Sequence, residues 1–211
     1  MVAALAACIV LLLSAGVVGA LTVEEDEAGS RSLDVSSAPV ASTAPPAPPI
    51  DLAAVVVGGP PGFDQIPDAR LVVGGAADVD KLASERSDQV RSKAVFEEAG
   101  LVSGFVRAWQ KPATSELATV RLYQFATADG AKSYATKVIA AMSAAPATTF
   151  KVPATDNTTG IDTQVAQGAN RVAYVVGRKG RVVAAIAATV APPPDAGFLP
   201  PLARSQLSLL P

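Results

Sequence analysis

Apolar positions fall into three regimes along the chain. Residues 2–23, VAALAACIVLLLSAGVVGALTV, are continuously apolar and carry no charge. Residues 28–49, AGSRSLDVSSAPVASTAPPAPP, show no apolar period. From Ile50 onward, short runs of period 2 or 3.6 alternate with Gly- and Pro-containing breaks. The first regime predicts a helix of about 33 Å, close to the thickness of a bilayer's hydrocarbon core. The second, Ser/Ala/Pro-rich, cannot bury enough surface to offset its ordering entropy and reads as a disordered or polyproline-like stalk. The third is long enough for one ordinary core. The expected division is a membrane span over 1–23, an acidic then Ser/Ala/Pro-rich linker over 24–49, and one folded domain over 50–211.

Within the third regime, Asp51–Val57 (DLAAVVV) fits either a helical turn or a strand, stopped by Gly58-Gly59-Pro60-Pro61-Gly62. Phe63–Ile66 suggests an edge strand, and Leu71-Val72-Val73 a strand ended by Gly74-Gly75. A helix follows, with Asp78 as N-cap, Val79, Leu82, Ala83, Val90 and Ala94 near one face, a break near Ser87-Asp88, and Gly100 past its end. Leu101–Gln110 and Ala118–Phe125 read as paired strands. Ala131, Tyr134, Ala135, Val138, Ile139 and Met142 form a helical stripe capped by Thr127 or Asp129. Four strand-like segments follow at 148–152, 161–166, 171–176 and 181–190, the last two joined by Gly177-Arg178-Lys179-Gly180. A short helix over 199–209 closes the chain. Strands arriving in hairpins with few helices predict an α+β fold: a mainly antiparallel sheet with two to three packed helices.

Composition narrows the chemistry. The 211 residues include no His and one Cys. A Ser-His-Asp or Cys-His nucleophile pair, a His-ligated metal and an intrachain disulfide are therefore outside this sequence, and no cofactor is expected. Residues 1–50 hold one of the 17 basic residues and five of the 19 acidic ones, leaving 16 and 14 in 51–211. Neither part has the positive field that nucleic-acid binding requires. Gly74-Gly75 precedes a helix but lacks the spacing of a phosphate-binding loop.

The apolar opening is consistent with a retained anchor, and Val18-Gly19-Ala20 leaves open a cleaved signal peptide. Cys8 follows Leu5-Ala6-Ala7, but the chain after it stays apolar where a lipoprotein turns polar. It reads as a small apolar residue in the membrane. The expected address is a single-pass membrane protein with its C-terminal domain outside, or a secreted one after cleavage.

Pro60-Pro61-Gly62-Phe63, Gly104-Phe105-Val106-Arg107-Ala108-Trp109 and Tyr123-Gln124-Phe125-Ala126, set behind an apolar span and a Pro-rich stalk, resemble membrane-anchored envelope domains of actinobacteria. Those include lipoprotein-like modules of Mog1/PsbP-like fold. The resemblance implies an exported α+β module and assigns no chemistry.

Two candidate sites stand out. Alternation puts Phe105, Arg107 and Trp109 on one face of a strand, and Arg121, Tyr123 and Phe125 on one face of the next. If the register joins those faces, Arg107, Trp109, Arg121 and Tyr123 make one surface able to stack a sugar or hold an anionic headgroup. The competing arrangement is that the aromatics are core and the arginines reach the rim. The second site is the basic hairpin Arg178, Lys179 and Arg181, placed to contact an anionic lipid or polymer. The expected role is a non-enzymatic binding or scaffold domain whose partner is an envelope lipid, glycan or protein. The alternative is an enzyme using carboxylate or Ser/Lys chemistry.

Overall fold

The computed structural model describes residues 48–112, 114, 116–143, 147–152, 155, 157–167, 170–190 and 197–211. The predicted span over 1–23 and nearly all of the predicted linker lie outside these. Among the described residues no helix is long and apolar enough to cross a membrane.

Eight strands form one antiparallel sheet: β1 (Asp64–Gln65), β2 (Gly75–Ala77), β3 (Leu101–Gln110), β4 (Leu117–Phe125), β5 (Ala147–Phe150), β6 (Thr158–Gln167), β7 (Asn170–Lys179) and β8 (Val182–Val190). Their order is β1-β3-β4-β8-β7-β6-β5, with β2 also pairing β3. The helices are α1 (Val79–Ser84), α2 (Gln89–Glu98), α3 (Ala128–Ser143) and α4 (Leu199–Leu209). The fold is α+β, as the pattern predicts.

Both sheet faces are covered, which is why β4 and β8 carry apolar or small residues at nearly every position. One face packs Phe105, Trp109, Val120, Leu122 and Ile186 under the Ile50–Val57 segment and α4. The other packs Val106, Tyr123, Phe125, Ile161 and Val183 under α1, α2 and α3 through Leu82, Phe96 and Tyr134. Two buried glutamines bind the Ile50–Val57 segment to this body. Gln124 Oε1 accepts from Ile50 N at 3.0 Å, while Gln206 accepts from Val57 N at 2.9 Å and donates to Val55 O at 2.8 Å.

The local signals act as expected at the helices. Asp78 accepts from Lys81 N at 2.8 Å and caps α1, and the chain breaks at Ser87-Asp88, where Asp88 accepts from Arg91 N at 3.0 Å and caps a separate α2. Thr127 Oγ1 accepts from Gly130 N at 3.0 Å at the start of α3.

Two expectations are corrected. The strand expected at Leu71–Val73 forms instead at Gly75–Ala77. A Cβ on Gly74 would lie 2.3 Å from Asp68 O, so this glycine lets two backbone segments touch and the strand begins after it. The β7–β8 turn is also shorter than Gly177–Gly180. Lys179 pairs with Val182, so the loop is Gly180-Arg181, with Gly180 at φ +54°.

Candidate functional site

The register of β3 and β4 separates the four residues of the first candidate. Arg107 pairs with Val120 and Trp109 with Ala118, whereas Arg121 pairs with Val106 and Tyr123 with Gly104. Directly paired residues share a face. Arg107 and Trp109 therefore point to the α4 side, and Arg121 and Tyr123 to the α1–α3 side. No joint surface forms.

Each of the four has a packing role. Trp109 is 3% exposed, and a Cβ on Gly59 would lie 2.3 Å from its indole ring, so the backbone at Gly59 lies directly against it. The Arg107 guanidinium stands 4.9 Å from the Phe105 ring centroid. Tyr123 belongs to an aromatic cluster with Phe96, Tyr134 and Phe125, whose neighbouring centroids lie 5.1–5.8 Å apart. Arg121, 3% exposed, donates from Nη2 to both Glu85 oxygens at 3.2 and 3.1 Å. On β8 its pairing partner is Ala185, and Ala187 pairs with Tyr174. These small side chains leave room for the guanidinium and the phenol.

That buried polar layer perturbs its neighbours. Burial, then the neighbouring Tyr123, pushes the Tyr134 phenol well above its usual value. Burial pushes Tyr174 up to about 12. Tyr123, Tyr134 and Glu85 raise Arg86 against the opposing effect of its burial. Burial thus keeps the Tyr134 and Tyr174 phenols protonated at neutral pH.

The second candidate is built differently. The β7–β8 tip, Thr155, Asn157 and the last turns of α4 line a cleft of about 390 Å³. Its described lining is Thr155, Asn157, Arg178, Lys179, Gly180, Arg204, Leu207 and Ser208. Two of the three predicted basic residues, Arg178 and Lys179, line it. Arg181 does not; its guanidinium donates to Pro48 O, at the first described residue of the chain.

Local packing creates the cleft. A Cβ on Gly177 would meet Leu207 Cδ1 at 2.9 Å, so the glycine lets α4 lie directly on β7. Arg204, Leu207 and Ser208 are spaced to share one helix face, so the contact at Leu207 also swings Arg204 and Ser208 toward the tip. Asn157, at φ +56°, accepts from Arg178 N at 3.2 Å and fixes the opposite wall.

Three cations line the cleft, and none of its described lining residues is acidic. Lys179 Nζ donates to Leu210 O, and Arg178 Nη1 to Gly180 O at 3.3 Å. Both keep donors for a ligand. Ser208 Oγ donates to Ser205 O at 2.8 Å, so Lys179 and Ser208 each direct a donor at a main-chain carbonyl. Among the described residues no three His, Cys, Asp or Glu side chains come together to hold a metal.

Arg204 was not foreseen as part of a site. Its helix is legible, but the close approach of that helix to the hairpin passes over Gly177, which reads in sequence as turn chemistry.

No protein-family model matches the sequence, and no curated protein does. Among solved structures, the extracellular domain of PknH from Mycobacterium tuberculosis is similar, with a TM-score of 0.47 and 11% identity over 74% of this chain and 92% of that one. A likeness at that distance assigns no activity.

Proposed function

We propose that this chain is a membrane-tethered extracytoplasmic domain that binds an anionic component of the cell envelope without catalysing a reaction. One observation carries the reading: the cleft between the β7–β8 tip and α4 gathers Arg178, Lys179 and Arg204. Such a cleft concentrates positive potential where an anion can enter. The tether is supported by 22 uncharged residues at 2–23, long enough to cross a bilayer, and the reach by a linker with no capacity for a core.

Membrane fractionation of the native protein with intact mass tests the tether. Full-length mass in the membrane pellet, resistant to high salt, is the expected result. A full-length protein found only in the soluble fraction overturns it. Protease added to intact cells tests the side: the 50–211 domain is expected to be digested without lysis.

A further inference from the structure

The donors and acceptors of the cleft do not match a bare oxyanion. A phosphate or sulfate dianion offers only acceptors, which suits Arg178, Lys179 and Arg204. Two other groups on the lining present the opposite need. Thr155 Oγ1 already donates to Val152 O at 2.8 Å, and Ser208 Oγ to Ser205 O at 2.8 Å. Each hydroxyl proton is thus committed within the fold, and what each oxygen turns to a ligand is lone pairs. Lone pairs are satisfied by a ligand that carries O–H donors. Asn157 adds an exposed amide able to work in either sense. The cleft, about 390 Å³, falls in the size range of small-molecule pockets, about 300–1,000 Å³, and exceeds what a single oxyanion fills.

Resting on the anion-binding reading above, we infer that the cleft takes a polyol phosphate: a phosphate ester at the three cations, with hydroxyl groups donating to Thr155 and Ser208. Its position suits a ligand presented by the tethering membrane. Arg181, in the two-residue turn beside Lys179, holds Pro48 O, and Gln124 on the neighbouring strand holds Ile50 N. The chain therefore enters the domain at the same end as the cleft mouth. The tether need not fold back for the tip to reach a headgroup. A lipid headgroup and a free polyol phosphate share this chemistry.

The experiment uses the full-length chain in nanodiscs. In neutral phosphatidylcholine discs, calorimetric titration compares myo-inositol 1-phosphate and glycerol 1-phosphate with inorganic phosphate and with myo-inositol. The polyol phosphates are expected to bind about tenfold or more tighter than either fragment, with Arg204→Gln and Arg178→Gln each weakening them by about tenfold. Arg204 is exposed, so an unchanged Tm for its variant separates lost binding from lost folding. A second arm omits soluble ligand and follows amide exchange over residues 177–183 and 204–211. Protection in discs containing phosphatidylinositol or phosphatidylglycerol, absent in neutral discs, identifies the lipid as the source. Soluble binding without that protection identifies a free polyol phosphate. Inorganic phosphate binding as tightly as its polyol esters overturns this inference and leaves the anion site standing. No binding of any phosphate, in either arm, overturns both.

Discussion

The reassignment of Arg121 from surface to core makes a quantitative demand. Its side chain is buried, as is Glu85, and they meet through one guanidinium nitrogen at 3.1 and 3.2 Å from the carboxylate oxygens. Arg121→Met keeps an unbranched apolar stem while deleting the guanidinium, leaving the Glu85 carboxylate buried without its bonded partner. Removing one member of a buried pair costs about 3–5 kcal/mol. A unit-charge pair about 4 Å apart in an effective dielectric near 20 interacts by about 4 kcal/mol, the same scale. Two features of the site pull the value toward the lower end. Arg86 lies close enough to Glu85 to be raised by it, and so offers partial compensation. Arg121 Nε is buried without a hydrogen-bond partner, a cost that the Met variant removes. The expected loss is about 3 kcal/mol, which at about 2–4 °C per kcal/mol lowers Tm by roughly 6–12 °C. Urea denaturation of the wild type, both single variants and Arg121→Met/Glu85→Leu closes a thermodynamic cycle. The double variant is expected within about 1 kcal/mol of wild type, because an apolar pair of similar volume replaces the ions. A single-variant loss below about 1 kcal/mol, or strict additivity in the cycle, refutes the coupled buried pair. Polyol phosphate binding by Arg121→Met should be unchanged, since the residue faces the α1–α3 layer and not the cleft.

Further outcomes follow from the same coordinates. Gly59→Ala places a methyl 2.3 Å from the Trp109 ring, so it should destabilise by about 1–3 kcal/mol and shift the emission of the chain's single tryptophan; an unchanged spectrum and midpoint would show that the loop does not sit on the indole. Tyr134 and Tyr174 favour the neutral phenol in the fold, so their stabilisation is complete below the unfolded value near 10 and disappears as pH rises through the folded values, about 12 for Tyr174. Spectrophotometric titration should therefore find at least two of the three phenols protonated at about pH 11 in the native protein and all three ionised there in denaturant. Asp78→Ala removes the cap on Lys81 N and should cost about 1 kcal/mol by denaturant midpoint.

Much of the fold was legible because its signals are local. The cap at Asp78, the break near Ser87-Asp88, the stripe on α3 and the twofold alternation of β3 and β4 each depend on residues a few positions apart. The failures trace to contacts distant in sequence. Leu71–Val73 has strand-forming side chains, yet Asp68 against Gly74 decides where pairing begins. The four-residue aromatic and arginine surface depended on one unknown, the β3–β4 register. Side chains alternate with period two, so an offset of a single residue sends a whole set to the opposite face. The pairing Val106 to Arg121 is the offset that separates Arg107 and Trp109 from Arg121 and Tyr123.

The basic hairpin stays at the surface for a physical reason. A tip between two long central strands cannot be buried by the sheet that carries it, so its charges were bound to reach solvent wherever the register fell. What sequence did not supply was the second wall. Arg204 lies 26 positions from Arg178, and the packing of α4 on the sheet, with Leu207 over Gly177, brings them into one cleft. That fit also explains how one glycine can govern a distant charge. Gly177→Ala would crowd Leu207 Cδ1 at 2.9 Å and should shift the seat of α4 on β7, and with it Arg204, while leaving all three cations in the chain. A site defined by net basic charge alone would bind its ligand unchanged in that variant. A site defined by the cleft would lose affinity, and calorimetry on Gly177→Ala with its Tm monitored separates the two.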